Sequence, residues 1–264
     1  MDLRVTAYGH SHLSAYLHAK RSLEAAGALP GVALSLVRLN LPELLPGIEY
    51  RDGEAVLSEA VTRRIRFTLR RDQPEAILSV NMGNEYNIIA MHAHPEPFDF
   101  HWPEMDLPAD KSRTVLPFDL IKAELAVLAN RNTLLYVRFL AENFAGPILL
   151  VPPPPPIGDD DHIRANPGVF ANNIAAYGLN PPEVRLKVYL LYCQILREAA
   201  TGRVIYYDLP HQIAEGGYLK KGLWYSDPTH ANGEYGEILL PRLIDRARRE
   251  VARAAAPQTS GATP

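Results

Sequence analysis

The stretch "LRVTAYGHSHLSAYLHAKRSLEAAG", residues 3–27, decides the fold. Its first seven residues form an apolar run of strand length that ends in glycine. From residue 12 onward apolar residues return at three- and four-residue spacings, and Gly27 closes the run as a helix stop. A strand, a sharp polar turn and a helix make half of a βαβ unit. The alternation then repeats. "VALSLVRLN" (32–40), "EAILSVNMG" (75–83), "PILLVPP" (147–153) and "RVIYYDLP" (203–210) read as four further strands. Helical patterns fill 53–72, 117–143, 181–202 and 231–256; Pro241 predicts a kink in the last, or the start of its regular part. Strands separated by helices need crossover connections. The expected fold is therefore α/β: a parallel sheet of about five strands with helices on both faces. Residues 1–256 are expected to form one domain, and 257–264 a disordered tail.

The chain has 264 residues, 47% of them hydrophobic and 22% charged, as in ordinary globular proteins. A formal net charge of -3 argues against a nucleic-acid partner. Basic clusters at 63–71 and 246–250 fall in helical patterns and read as solvated faces. Cys193 is the single cysteine, so no intrachain disulfide forms, and its apolar helical context marks a buried thiol. No leader pattern is seen, and no run reaches the roughly 20 apolar residues of a membrane span. The expectation is a cytoplasmic protein without a membrane partner.

Ligands of such sheets bind at the carboxyl ends of the strands. Three polar motifs fall there. Ser11, in "GHSH" (9–12), follows the first strand at the mouth of a helix, where free N–H groups can hold an oxyanion while a serine attacks a carbonyl. The competing reading is a helix N-cap. Gly83 and Asn84, in "MGNEYN" (82–87), follow the third strand as oxyanion donors or as plain turn residues. Asp227 and His230, in "DPTH", precede the last helix at a spacing that lets a carboxylate orient an imidazole; the alternative is a cap with an incidental histidine.

Taken together, the order Ser11, Gly83-Asn84, Asp227-x-x-His230 resembles the SGNH hydrolases, the GDSL esterases and lipases. The resemblance runs from the first strand to the last helix and implies a three-layer α/β/α sandwich around a flavodoxin-like parallel sheet of about five strands. It implies a serine-dependent hydrolase of carboxylic O-acyl esters that works without metal or cofactor. Ser11 would be the nucleophile, His230 the general base, and Asp227 the residue orienting it. The Ser11 N–H and the Gly83-Asn84 turn would form the oxyanion hole. A further donor is expected after the second strand, with Gly47, Gly53 and Asn40 as candidates. His10 stands where the family usually has aspartate, and Glu85 follows Asn84 where aspartate is common. An acyltransferase with the same triad, or an inactive binding protein with the same fold, are the alternatives. The expected partner is a small-molecule or carbohydrate-like acyl ester.

The remaining histidines invite a metal reading. His10 and His12 form one His-x-His pair; His92 and His94 form another near Glu96, Asp99 and His101. No Asp-x-His motif follows a strand, and no helical His-Glu-x-x-His occurs. His10, His12, His92 and His94 are therefore expected to face substrate, with 92–110 as a lid-like loop. The five prolines at 152–156 are expected to stiffen a wall of the site, and Asp159 to Asp161 to form a solvated acidic turn.

Overall fold

Along the first strand, Leu3, Val5 and Ala7 pack into one hydrophobic cluster and Tyr8 into another. This period-two split places a layer of helices on each side of the sheet. The computed structural model describes residues 2–80, 82–83, 85–105 and 107–256; the expected tail, 257–264, lies outside them. The central sheet contains β1 (Leu3–Gly9), β2 (Val32–Arg38), β3 (Ala76–Val80), β4 (Ile148–Val151) and β5 (Val204–Tyr206). Their order is β2-β1-β3-β4-β5, and every neighbouring pair is parallel. All of β3 and β4 is buried, which is why both read as unbroken apolar runs.

Among the described residues, six longer helices cover the sheet. α1 (Leu13–Ala25) and α6 (Gly233–Ala255) lie on one face, over Val5, Ala7, Leu78, Val80 and Leu149. α2 (Glu59–Asp72), α3 (Phe118–Arg131), α4 (Thr133–Asn143) and α5 (Pro182–Ala199) lie on the other, over Tyr8, Ile77, Ile148 and Leu150. The result is the three-layer α/β/α sandwich. No described helix is long and apolar enough to cross a membrane.

Several local expectations change. The helix read over 53–72 begins only at Glu59, because residues 54–57 pair antiparallel with Ile48–Arg51. Asp52 and Gly53 both take positive φ, +52° and +83°, as a tight hairpin turn requires. Ser58 then caps α2 by accepting from the Val61 N–H. Pro241 neither starts nor ends α6, whose assignment is continuous from Gly233 to Ala255.

The segment 92–110 is not built as a lid. Phe98, Phe100 and Trp102 are buried in the core beside α3 and α5. Asp99, which the sequence places near the His92–His94 pair, pairs with buried Lys187 of α5. The Lys187 ammonium also donates to the carbonyls of Phe100 and Pro108. The acidic turn likewise has structural work. Asp159 caps a short helix through the His162 N–H, and Asp160 pairs with the buried guanidinium of Arg185. Prolines 152–155 are buried, and the Tyr189 hydroxyl donates to the Pro153 carbonyl at 3.2 Å.

Candidate active site

The site is built where β1 turns into α1. A side chain at Gly9 would meet the Val80 carbonyl at 3.0 Å and Leu13 Cβ at 3.2 Å, so glycine lets the turn sit tight on β3. The Leu13 and Ser14 N–H groups bond back to the carbonyls of His10 and Ser11. The residue at the α1 N-cap position is His12, with no side-chain cap bond. The Ser11 hydroxyl is engaged elsewhere: it donates to His230 Nε2 at 2.6 Å.

His230 is held by a compact turn. Asp227 Oδ1 accepts the N–H groups of Thr229 and His230, both at 2.8 Å. Asp227 Oδ2 accepts the His230 Nδ1–H at 2.7 Å. That bond fixes the proton on Nδ1 and leaves Nε2 bare toward Ser11. Burial pushes the Asp227 carboxyl up, but the His230 bond and charge and the two backbone N–H groups outweigh it and hold the pKa below the usual range. Neither Asp227 nor Thr229 caps α6; Asn232 does, accepting from the Tyr235 N–H. The cap readings of Ser11 and Asp227 are thereby set aside.

Two glycines of α6 bring these turns together. A side chain on Gly236 would overlap the Ala15 carbonyl, and one on Gly233 would overlap the His18 ring. Their absence lets the first turn of α6 lie directly against α1. Ser11 and His230, 219 positions apart, meet just ahead of those first turns.

The neighbouring histidines are placed differently from expectation. His12 is buried, its ring centroid 4.5 Å from that of His230. His10 lies edge-on to Tyr136 at 5.1 Å. Its pKa is lowered to about 4, first by burial and then by the charge of Arg38. His92 is buried, with Nε2 at 3.1 Å from the Asn173 side-chain nitrogen and its ring 5.4 Å from that of His94. None of the four lines the cavity that opens beside Ser11.

That cavity holds about 440 Å³, and its walls include Ser11, Ser14, His18, Arg38, Tyr225 and His230. Arg38 and His18 were missed by sequence reasoning. A strand-end arginine and a helical histidine carry no motif; only the β1–β2 register and the α1 spacing from Ser11 point to them.

The oxyanion candidates are only partly visible. Asn84 lies outside the described residues. A side chain on Gly83 would meet the end of the Glu85 side chain, Oε2, at 2.5 Å. Buried Glu85 accepts from the Tyr192 hydroxyl at 2.6 Å and the Thr133 N–H at 3.2 Å, which ties this turn to α4 and α5. Gly47 abuts the Tyr136 hydroxyl at the hairpin foot, and Gly53 sits at its tip. Asn40 Oδ1 accepts from Arg38 Nε at 2.9 Å. Among the described residues, no three His, Cys, Asp or Glu side chains gather as metal ligands. Cys193 is buried, and burial pushes its thiol up to about 11.

The parallel five-stranded sandwich, with the serine turn after its first strand, is the SGNH-hydrolase fold. A chain from Streptococcus pneumonia, provisionally described as a platelet activating factor, matches with a TM-score of 0.50 at 13% identity, over 94% of this chain and 85% of its own. The periplasmic domain of a lipopolysaccharide acetyltransferase from Salmonella ser. Paratyphi A matches at 0.44 and 12% identity, over 92% and 83%. A family 3 carbohydrate esterase from Clostridium thermocellum matches at 0.34 and 10%, over 94% and 98%. At these identities the likeness is one of fold. No protein-family model and no curated protein matches the chain.

Proposed function

We propose that the protein is a serine-dependent hydrolase of carboxylic O-acyl esters, an esterase or deacylase working through an acyl-enzyme on Ser11. The observation that carries this reading is the unbroken hydrogen-bond chain from Ser11 Oγ through His230 to Asp227. A hydroxyl that donates to a bare imidazole nitrogen is set to lose its proton as it attacks a carbonyl. His230 takes that proton and returns it to the departing alcohol. A water, deprotonated by the same nitrogen, then releases the acid and frees Ser11. Asp227, ionised and fixed by two N–H groups, stabilises the imidazolium that forms between these steps.

In this reading the Ser11 N–H and the Gly83-Asn84 turn hold the oxyanion, with Asn40 or Gly47 as candidates for a further donor. The chemistry needs no metal or cofactor. The substrate is a small-molecule or carbohydrate-like ester, and the cavity beside Ser11 has room for a compact one.

A fluorophosphonate probe tests the proposal. It should label the wild type, and Ser11→Ala should remove both labelling and turnover of p-nitrophenyl acetate, with a loss of about 10³-fold or more in kcat. A folded wild type that neither labels nor turns over the ester would overturn it. Activity that survives Ser11→Ala would assign the chemistry to another group.

A further inference from the structure

Arg38 stands at the carboxyl end of β2, opposite Gly9 in the β1–β2 register. Leu34 and Leu36, four and two positions earlier, pack toward α1 and α6, so Arg38 belongs to the face that carries Ser11's helix. It lines the same cavity as Ser11 and His230 and is only half-exposed. Its Nε is spent on Asn40. Among the described residues, no carboxylate pairs with it, and its two Nη groups make no hydrogen bond.

A guanidinium never loses its charge, and a partly desolvated one gains most from a counter-ion. The carboxylate in the cavity wall, Asp227, has its oxygens engaged by His230 and two backbone N–H groups. The free Nη edge of Arg38 presents two parallel donors, the geometry that a carboxylate accepts in bidentate fashion. His18 and Tyr225 supply flat ring surfaces in the same walls.

We propose that this cavity takes esters bearing a carboxylate, with Arg38 as the specificity-determining residue that binds it. The inference rests on the Ser11 reading above and adds the charge of the substrate to it. The carboxylate sits on the acyl or the alcohol part, and the experiment tells which.

Three esters separate the cases: neutral p-nitrophenyl acetate, mono-p-nitrophenyl succinate with its charge on the acyl part, and 3-carboxy-4-nitrophenyl acetate with its charge on the alcohol part. The wild type should favour at least one anionic ester by about tenfold or more in kcat/KM, a preference that shrinks as sodium chloride is raised. The anionic-to-neutral ratio should fall about tenfold in Arg38→Gln and further in Arg38→Glu. Wild type that turns over the neutral ester yet favours neither anionic one would overturn the inference while leaving the hydrolase reading intact. The wild-type ratio and its salt dependence decide the matter even where a variant fails to fold. Binding read by calorimetry separates the two claims from the other side. Ser11→Ala should bind the preferred anionic ester about tenfold more tightly than Ser11→Ala/Arg38→Gln. Equal affinity would overturn the assignment of Arg38 whatever the catalytic result.

Discussion

At the scale of the residue, Asp227 does two jobs with two oxygens. Oδ1 holds the turn by accepting two backbone N–H groups, and Oδ2 orients His230. Asparagine keeps an acceptor for the first job and loses it for the second, because its amide nitrogen cannot accept from Nδ1–H. Asp227→Asn should therefore leave thermal stability nearly unchanged and lower kcat by about 10²- to 10⁴-fold. Steady-state kinetics beside a thermal melt check both halves. A variant of wild-type activity would place the orienting acid elsewhere. Ser11, Asp227 and His230 were legible in the sequence only in combination: each alone has a capping alternative, but all fall at the carboxyl edge of one sheet. Arg38 was not legible: the pairing of β1 with β2 sets it opposite Gly9 at the site, and that register is not written in its local sequence.

At the scale of the element, the packing of α6 on α1 sets the distance between the proposed nucleophile and its base. The Gly236 position has no room for a methyl group, because the Ala15 backbone carbonyl stands there and cannot turn aside as a side chain would. Gly236→Ala should push the helices apart, cost about 1–3 kcal/mol of stability by urea unfolding, and reduce kcat more than KM. An alanine variant with unchanged kcat would separate helix spacing from the geometry of the site. The sheet strands were readable because β3 and β4 are buried on both faces and leave no polar interruption. Residues 54–57 were misread as helix: four residues are too few to show a period, although Asp52-Gly53 carried the turn signal. The aromatics of 92–110 were read as a lid because an irregular segment gives no sign of which way its side chains face. The burial of Lys187 was equally hidden, since it depends on Asp99, 88 positions earlier.

At the scale of the whole molecule, stability carries a proton cost. His10 is held at about 4 in the folded chain, against 6.5 when unfolded, by burial first and the Arg38 charge second. Above pH 6.5 the residue is neutral in both states and costs nothing. As pH falls from 6.5 toward 4 the unfolded chain gains a proton that the folded chain refuses, so stability drops, and below pH 4 the penalty is constant. The full penalty is about 3 kcal/mol. His10→Asn should flatten this part of the acid limb, read as the difference in urea-unfolding free energy between pH 7 and pH 4.5. A variant as acid-sensitive as the wild type would move the cost to another group.

The contact between Ser11 and His230 also sets an order in time. The ribosome releases Ser11 long before the base that would activate it, with 219 positions between them and the other four sheet strands made in the interval. Under the proposed function, a nascent chain carries an unactivated serine until its last helix docks. Under that reading, labelling by the fluorophosphonate would report completed folding.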